Sequence, residues 1–266
     1  MQLAAHLKNS FQAEGDYSQV SEAPEVVVMQ LGENVFRYAI WNAGEESPVF
    51  IGTYHFSPGL PDQEQEKELR AIFMKDGLLH RTYSNALLVW QTPFEIQPET
   101  ADAIPNVPGV HMQHCHEQQA VLFYETPEYL KRLFAEHFPH IKLFHSGAVL
   151  INSYNKTPKD PSALLVHVNN GSIEVVVVSD KGLQLYNRYE FRSVNDFMYF
   201  VLLAATETRL DRNQTTLYLT GEIEEDAAVS RQCRMYFKNV IFLHTGDGSH
   251  QGHRYYLLNN AKLCAS

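Results

Sequence analysis

Two short segments between apolar runs carry a side-chain amide two residues before a glycine: Gln30-Leu31-Gly32 and Asn169-Asn170-Gly171. Each sits between two apolar runs, Val26–Met29 and Val35–Trp41 in the first case, Leu164–Val168 and Ile173–Ser179 in the second. Both therefore read as β-hairpin tips, where glycine supplies the positive φ that tight turns favour. An amide accepts a hydrogen bond, but it brings no negative charge to a hard cation such as magnesium. Nor does it take a proton near neutral pH, so it is no general base. Two carboxylates are close in sequence, Glu33 within the first tip and Glu174 in the strand that leaves the second. Stray acids do not make a site, which needs several groups in mutual geometry.

A second cluster is His111-Met112-Gln113-His114-Cys115-His116, with three imidazoles and a thiol in six residues. Such donors suit zinc or copper. No second ligand pair follows at finger spacing, so a His-rich loop without metal is the expectation. His244, His250 and His253 flank the glycine-rich stretch 246–252 and are assigned no role. Cys115, Cys233 and Cys264 are widely spaced and form neither a disulfide framework nor a CxxC pair, which fits reduced thiols. There is no Gly-x-Ser-x-Gly elbow, no GxxxxGK[ST] phosphate loop and no dinucleotide fingerprint.

The formal net charge of −10 argues against general nucleic-acid binding, which needs clustered Lys and Arg. Apolar runs are far shorter than a bilayer span, and the start lacks a basic stretch followed by an apolar one, so neither membrane insertion nor a signal peptide is read. The expected location is the cytoplasm.

The elements that must position the two tips repeat. In the first half a third strand, Val49–Phe56, follows the hairpin. A helix capped by Asp62 runs to about Lys75, and Asn85–Gln91 is a strand. Pro98–His116 reads as a long loop, because it holds three prolines and no periodicity. Gln119–Tyr124 is a strand, then a helix starts with Thr126 as N-cap and Pro127 in the first turn. Ile141–Phe144 and a helix over Ser146–Tyr154 complete this half. In the second half Leu183–Phe191 is the third strand, followed by a helix over Val194–Arg209, a strand over Thr216–Thr220, a helix over Asp226–Tyr236, a strand over Val240–Leu243 and a helix near Arg254–Leu263. Three antiparallel strands followed by alternating helix and strand predict a five-stranded mixed sheet in each half. The division falls in Lys156–Pro161, giving lobes 1–158 and 159–266, with residues 1–22 loosely held.

Two such lobes, each opening on an apolar strand and a glycine turn, resemble the actin-like ATPase superfamily with its ribonuclease H-like lobes. The stretches Asp196–Phe200, Leu217–Glu224 and Arg254–Leu258 make the chain similar to a bacterial domain-of-unknown-function family, 3822 in that series, typical of Bacteroidota. The resemblance implies an α/β fold of two duplicated ribonuclease H-like lobes. In that superfamily each tip carries an Asp two residues before Gly and grips phosphates with backbone N–H groups. The matching positions here are Gln30 with Gly32 and Asn169 with Gly171. An adenosine-side Thr-Gly-Gly strand end matches Thr220-Gly221-Glu222. The phosphate turns are thus degenerate. The expected protein is a non-catalytic binding or scaffold protein with an unknown protein partner and no cofactor. The alternative is an ATPase or small-molecule kinase that uses ATP and magnesium with a non-standard acid set.

Overall fold

The computed structural model describes residues 10–57, 59–99, 109–154, 162–245 and 252–264. The chain groups into two compact units, and neither is one continuous stretch. The first comprises Met1–Pro93, Glu125–His145 and Ala261–Ser266, the second Phe94–Tyr124 and Ser146–Asn260. This grouping differs from a linear cut at 158/159, and the Lys156–Pro161 segment lies outside the described residues.

The first unit holds a mixed sheet of β1 (Phe11–Gly15), β2 (Val26–Leu31), β3 (Val35–Trp41), β4 (Phe50–His55), β5 (Asn85–Trp90) and β9 (Lys142–His145). Their order is β1-β4-β3-β2-β5-β9. Five of the six are the strands expected. The sixth, β1, corrects the expectation of a loosely held start: residues 11–15 pair antiparallel with β4, although every one of them is exposed.

Both faces of β2 and β3 are buried, which is why these strands read as continuous apolar runs rather than alternating ones. One face packs on α1 (Asp62–Lys75) and α2 (Glu128–His137). There the Phe36 ring lies 5.8 Å from Phe73 and 6.2 Å from Phe134. On the same face Tyr38 lies across Gly52, its register partner in β4. The Tyr38 hydroxyl donates to Asp76 Oδ2 at 2.5 Å, and Tyr54 donates to the same oxygen at 2.8 Å. Burial, reinforced by the Asp76 carboxylate, pushes the ionisation of both phenols well up, so they remain donors.

The second unit carries β10 (Ser162–Asn169), β11 (Ser172–Ser179), β12 (Gly182–Glu190), β13 (Thr216–Gly221) and β14 (Asn239–Phe242) in the order β12-β11-β10-β13-β14. That is the same order in which β4, β3, β2, β5 and β9 lie. Leu164, Val166, Ile173, Val175, Leu217 and Leu219 face a core closed by α4 (Val194–Glu207) and α5 (Ala228–Tyr236). Alternation then sends Leu165, His167, Glu174 and Thr220 to the opposite face. α3 (Ser146–Ser153) packs against β11, and α6 (Tyr256–Cys264) follows late in the chain.

Pro98–His116 is not simply a loop. β6 (Phe94–Pro98), β7 (Val110–Cys115) and β8 (Ala120–Glu125) form a small sheet in the order β6-β8-β7. The prolines obscured it: Pro98 ends β6, and the His-rich stretch is itself β7. The helix starts also shift by a residue. Pro61 and Pro127 occupy the N-cap positions without a side-chain bond, Asp62 becomes the first helical residue, and the buried Thr126 Oγ1 has no hydrogen-bond partner among the described residues.

Gly52→Ala tests the Tyr38 packing. A Cβ at 52 would stand 2.5 Å from the Tyr38 ring. The variant is expected to lose about 1–3 kcal/mol in urea denaturation, the usual cost of overpacking a core.

Candidate functional site

The first tip closes with Gly32 N–H donating to Val35 O at 2.9 Å, which leaves Glu33 and Asn34 as the turn. Gln30 lies one pair deeper on its own face, beside Arg37 of β3 and Val89 of β5, and is buried. Arg37 is buried as well, and its Nε donates to Thr53 Oγ1 at 3.1 Å. A Gln–Arg–Thr row therefore crosses three strands beneath the tip. It places a buried cation beside Gln30. Gly32 is tightly placed: a Cβ there would come within 2.9 Å of Gln91 Oε1.

The second tip closes with Asn169 opposite Ser172, so Asn170 and Gly171 make the turn and Gly171 takes φ +84°. Counted from the closing pair, Gly32 corresponds to Asn169 and Gln30 to His167. The two tips thus differ by two residues in where the amide stands. Asn169 Nδ2 is buried with no hydrogen-bond partner among the described residues. Ser172 Oγ accepts from Arg188 Nε at 3.4 Å.

One step below this tip a second polar row crosses the sheet, with Arg188, Glu174, His167 and Thr220 as successive register partners. His167 Nδ1 and Thr220 Oγ1 are 2.9 Å apart. Glu174 is 1% exposed, and its Oε1 accepts from Ser146 Oγ at 2.5 Å and from Tyr186 at 2.7 Å. Burial and the Glu174 charge hold the Tyr186 phenol protonated. A carboxylate enclosed by two hydroxyl donors at the start of α3 suits a structural anchor. Glu33 is exposed in its turn.

Thr220-Gly221-Glu222 ends β13. Gly221 takes φ +87°, and a Cβ would overlap the Val168 carbonyl oxygen, so glycine is required by the chain's own approach. The Gly221 N–H donates to His253 O at 2.8 Å and the Glu222 N–H to Val168 O at 2.7 Å. Both donors at this strand end are occupied by the protein itself. His253 returns a further bond: its Nε2 lies 2.7 Å from Ile223 O and must carry the proton, which leaves Nδ1 buried without a hydrogen-bond partner among the described residues.

The His-rich segment does not converge. Alternation along β7 sends His111 and His114 to opposite faces. His111 stacks on Tyr124 at 5.2 Å, and His114 Nδ1 contacts Glu99 Oε1 at 2.6 Å. Among the described residues no group of three or more His, Cys, Asp or Glu is arranged to hold a metal. Residues 246–251, with His250, lie outside the described residues, as do 265 and 266. Cys233 is buried in the core with its thiol pushed up to about 12, too high for a nucleophile. Arg37, Ser146, Tyr186 and His253 were not legible as site residues. Strand registers bring Arg37 and Tyr186 in, and alternation within β11 sends Glu174 away from α4 and α5, towards α3.

Burial first, and the nearby His244 imidazole, lower the His253 pKa from its ordinary 6.5 against the opposing pull of Ile223 O, Glu224 and Glu225. The native state resists a proton that the unfolded chain accepts. The stability contributed is complete above pH 6.5 and is lost as pH falls through the lower native value. His253→Gln should flatten the decline in urea-denaturation stability between about pH 7 and about pH 5. An unchanged decline would assign it to other groups.

No curated protein matches the chain. A Bacteroides thetaiotaomicron protein with an actin-like ATPase fold and unknown function is similar in structure, with a TM-score of 0.73 at 13% identity over 92% of this chain and 97% of that one. The PilM–PilN type IV pilus biogenesis complex gives a TM-score of 0.52 at 11% identity over 90% of this chain and 98% of that one. The fold is thus the actin-like ATPase fold, as the repeated strand order implies. A family model described as "Protein of unknown function (DUF3822)" matches residues 106–240, just over half of the sequence, and the chain belongs to that family.

Proposed function

We propose that this chain is a non-catalytic binding or scaffold protein, built by internal duplication of a ribonuclease H-like unit and working in the cytoplasm with a protein partner. The observation that carries the reading is the pair of tips: neither Gln30 and Asn169, which match the superfamily's acids in sequence, nor His167, which matches Gln30 in register, carries a negative charge, and the buried cation Arg37 lies beside Gln30. The strand end at Gly221 adds weight, because its backbone donors are already satisfied by Val168 and His253. Glu174 is not a replacement acid, since it is buried and held by Ser146 and Tyr186. Among the described residues no helix is long and apolar enough to cross a membrane. PilM, a protein of the same fold, occurs in a complex with PilN, and a scaffold role follows from that by fold analogy alone.

Thermal unfolding with magnesium-ATP, and with ATP plus a chelator, tests the reading. A ligand held one hundredfold above its dissociation constant stabilises by about 2.7 kcal/mol. No shift at millimolar ATP is the expected outcome. A magnesium-dependent shift accompanied by turnover would instead favour an ATPase or kinase with ATP and magnesium as its cofactors.

A further inference from the structure

β14 is the last strand of the second unit's sheet, and among the described residues nothing pairs with its outer side. It runs parallel to β13, with Leu217 opposite Val240 and Leu219 opposite Phe242. Leu243 N–H donates to Leu219 O at 3.0 Å. The alternation of a parallel ladder then directs the odd-numbered residues' backbone groups towards β13, and turns the N–H and C=O of Val240 and Phe242 outward. Such a row of groups is a template for another strand.

The side chains around this edge are unusual for a free strand. Ile241, at its centre, is 46% exposed, and Met235 and Tyr236 at the end of α5 are 74% and 44% exposed. Edges left free are ordinarily protected by charge or proline, and β14 has neither. The charge here also departs from that of the whole molecule. Residues 227–245 contain Arg231, Arg234 and Lys238 and no Asp or Glu, in a chain of net charge −10. Arg231 and Arg234 donate to the carbonyl oxygens of Asp226 and Glu225, which with Glu222 and Glu224 precede this stretch, and among the described residues neither arginine forms an ion pair with a carboxylate.

We propose that the β14 edge is the docking surface for an acidic, extended segment of a partner protein, which adds to the sheet as a further strand. Main-chain bonds to Val240 and Phe242 supply affinity, apolar side chains of the segment cover Ile241, Met235 and Tyr236, and its carboxylates meet the three cations. A second copy of this chain is a poorer match, because no described edge strand carries more than one carboxylate. The proposal rests on the reading of the chain as a binding protein, and it adds the chemistry of the partner.

The test is a fluorescence-anisotropy titration with a labelled peptide of alternating Glu and Val, about ten residues long, against its Lys–Val counterpart. The acidic peptide should bind, weaken as salt is raised, and lose about tenfold in affinity with the pair R231E and K238E. Val240→Pro removes only an outward N–H and should cause a similar loss. If that variant does not fold, the charge pair still decides. Equal binding of the Lys–Val peptide, no binding of either, or indifference to R231E and K238E would overturn the proposal. A doubled mass in light scattering that Ile241→Glu abolishes would also overturn it and make a second copy the occupant. The two readings fail separately: ATP turnover would remove the non-catalytic role and leave peptide binding standing, whereas absent peptide binding leaves the nucleotide result untouched.

Discussion

The Glu174 carboxylate is the interaction on which the second unit depends. A carboxyl group 1% exposed is tolerated only when it is hydrogen-bonded, because burying an unpaired polar group is costly. Ser146 and Tyr186 provide those bonds, and each brings a separate element with it. Ser146 begins α3 and Tyr186 lies in β12. The Tyr186 ring lies so close to Gly147 that any side chain there would overlap it, and it meets Phe94 of β6 at 4.5 Å. One buried carboxyl group thereby ties together a helix start, an edge strand and the small sheet that β6 begins.

The first unit solves the same problem with different residues. Its buried acid is Asp76, its phenols are Tyr38 and Tyr54, and the glycine that admits the ring is Gly52. The acid lies on the α1 and α2 face there, and in the second unit on the α3 face, opposite α4 and α5. That difference decides the polarity beneath each tip. One row is Gln30, Arg37 and Thr53, the other Arg188, Glu174, His167 and Thr220. Shared strand order therefore does not carry shared chemistry: both rows are spent on internal bonding, and neither offers the pair of accessible carboxylates that a metal-dependent reaction needs.

The strand order was legible because it is written in local signals. β-branched runs such as Val175–Val178, turn pairs such as Asn170-Gly171 and helix stripes such as Leu130, Leu133 and Phe134 each follow from period or turn chemistry. What escaped depends on partners distant in sequence. β1 has no apolar pattern because it is exposed, and only its pairing with β4 makes it a strand. β7 reads as polar loop, since His111, Gln113 and His114 obtain partners from neighbours that no periodicity predicts. Thr126 looks like an N-cap, but the proline after it takes that position itself. For the candidate site, Gln30 and Asn169 stand out in the sequence, but strand register pairs Asn169 with the position of Gly32 rather than with that of Gln30. The closure of the Gly221 strand end by His253 was not legible, because 32 residues separate them.

These observations explain where binding capacity is left. In a chain of net charge −10, residues 227–245 hold no Asp or Glu and lie beside a β14 edge that no other described strand pairs, with Ile241 half-exposed at its centre. Long-range repulsion between this protein and another acidic one would be lowest there, so the same cations that fit the docked segment would also orient its approach. Among the described residues it is the β14 edge, rather than either tip, that leaves backbone groups which no other strand pairs.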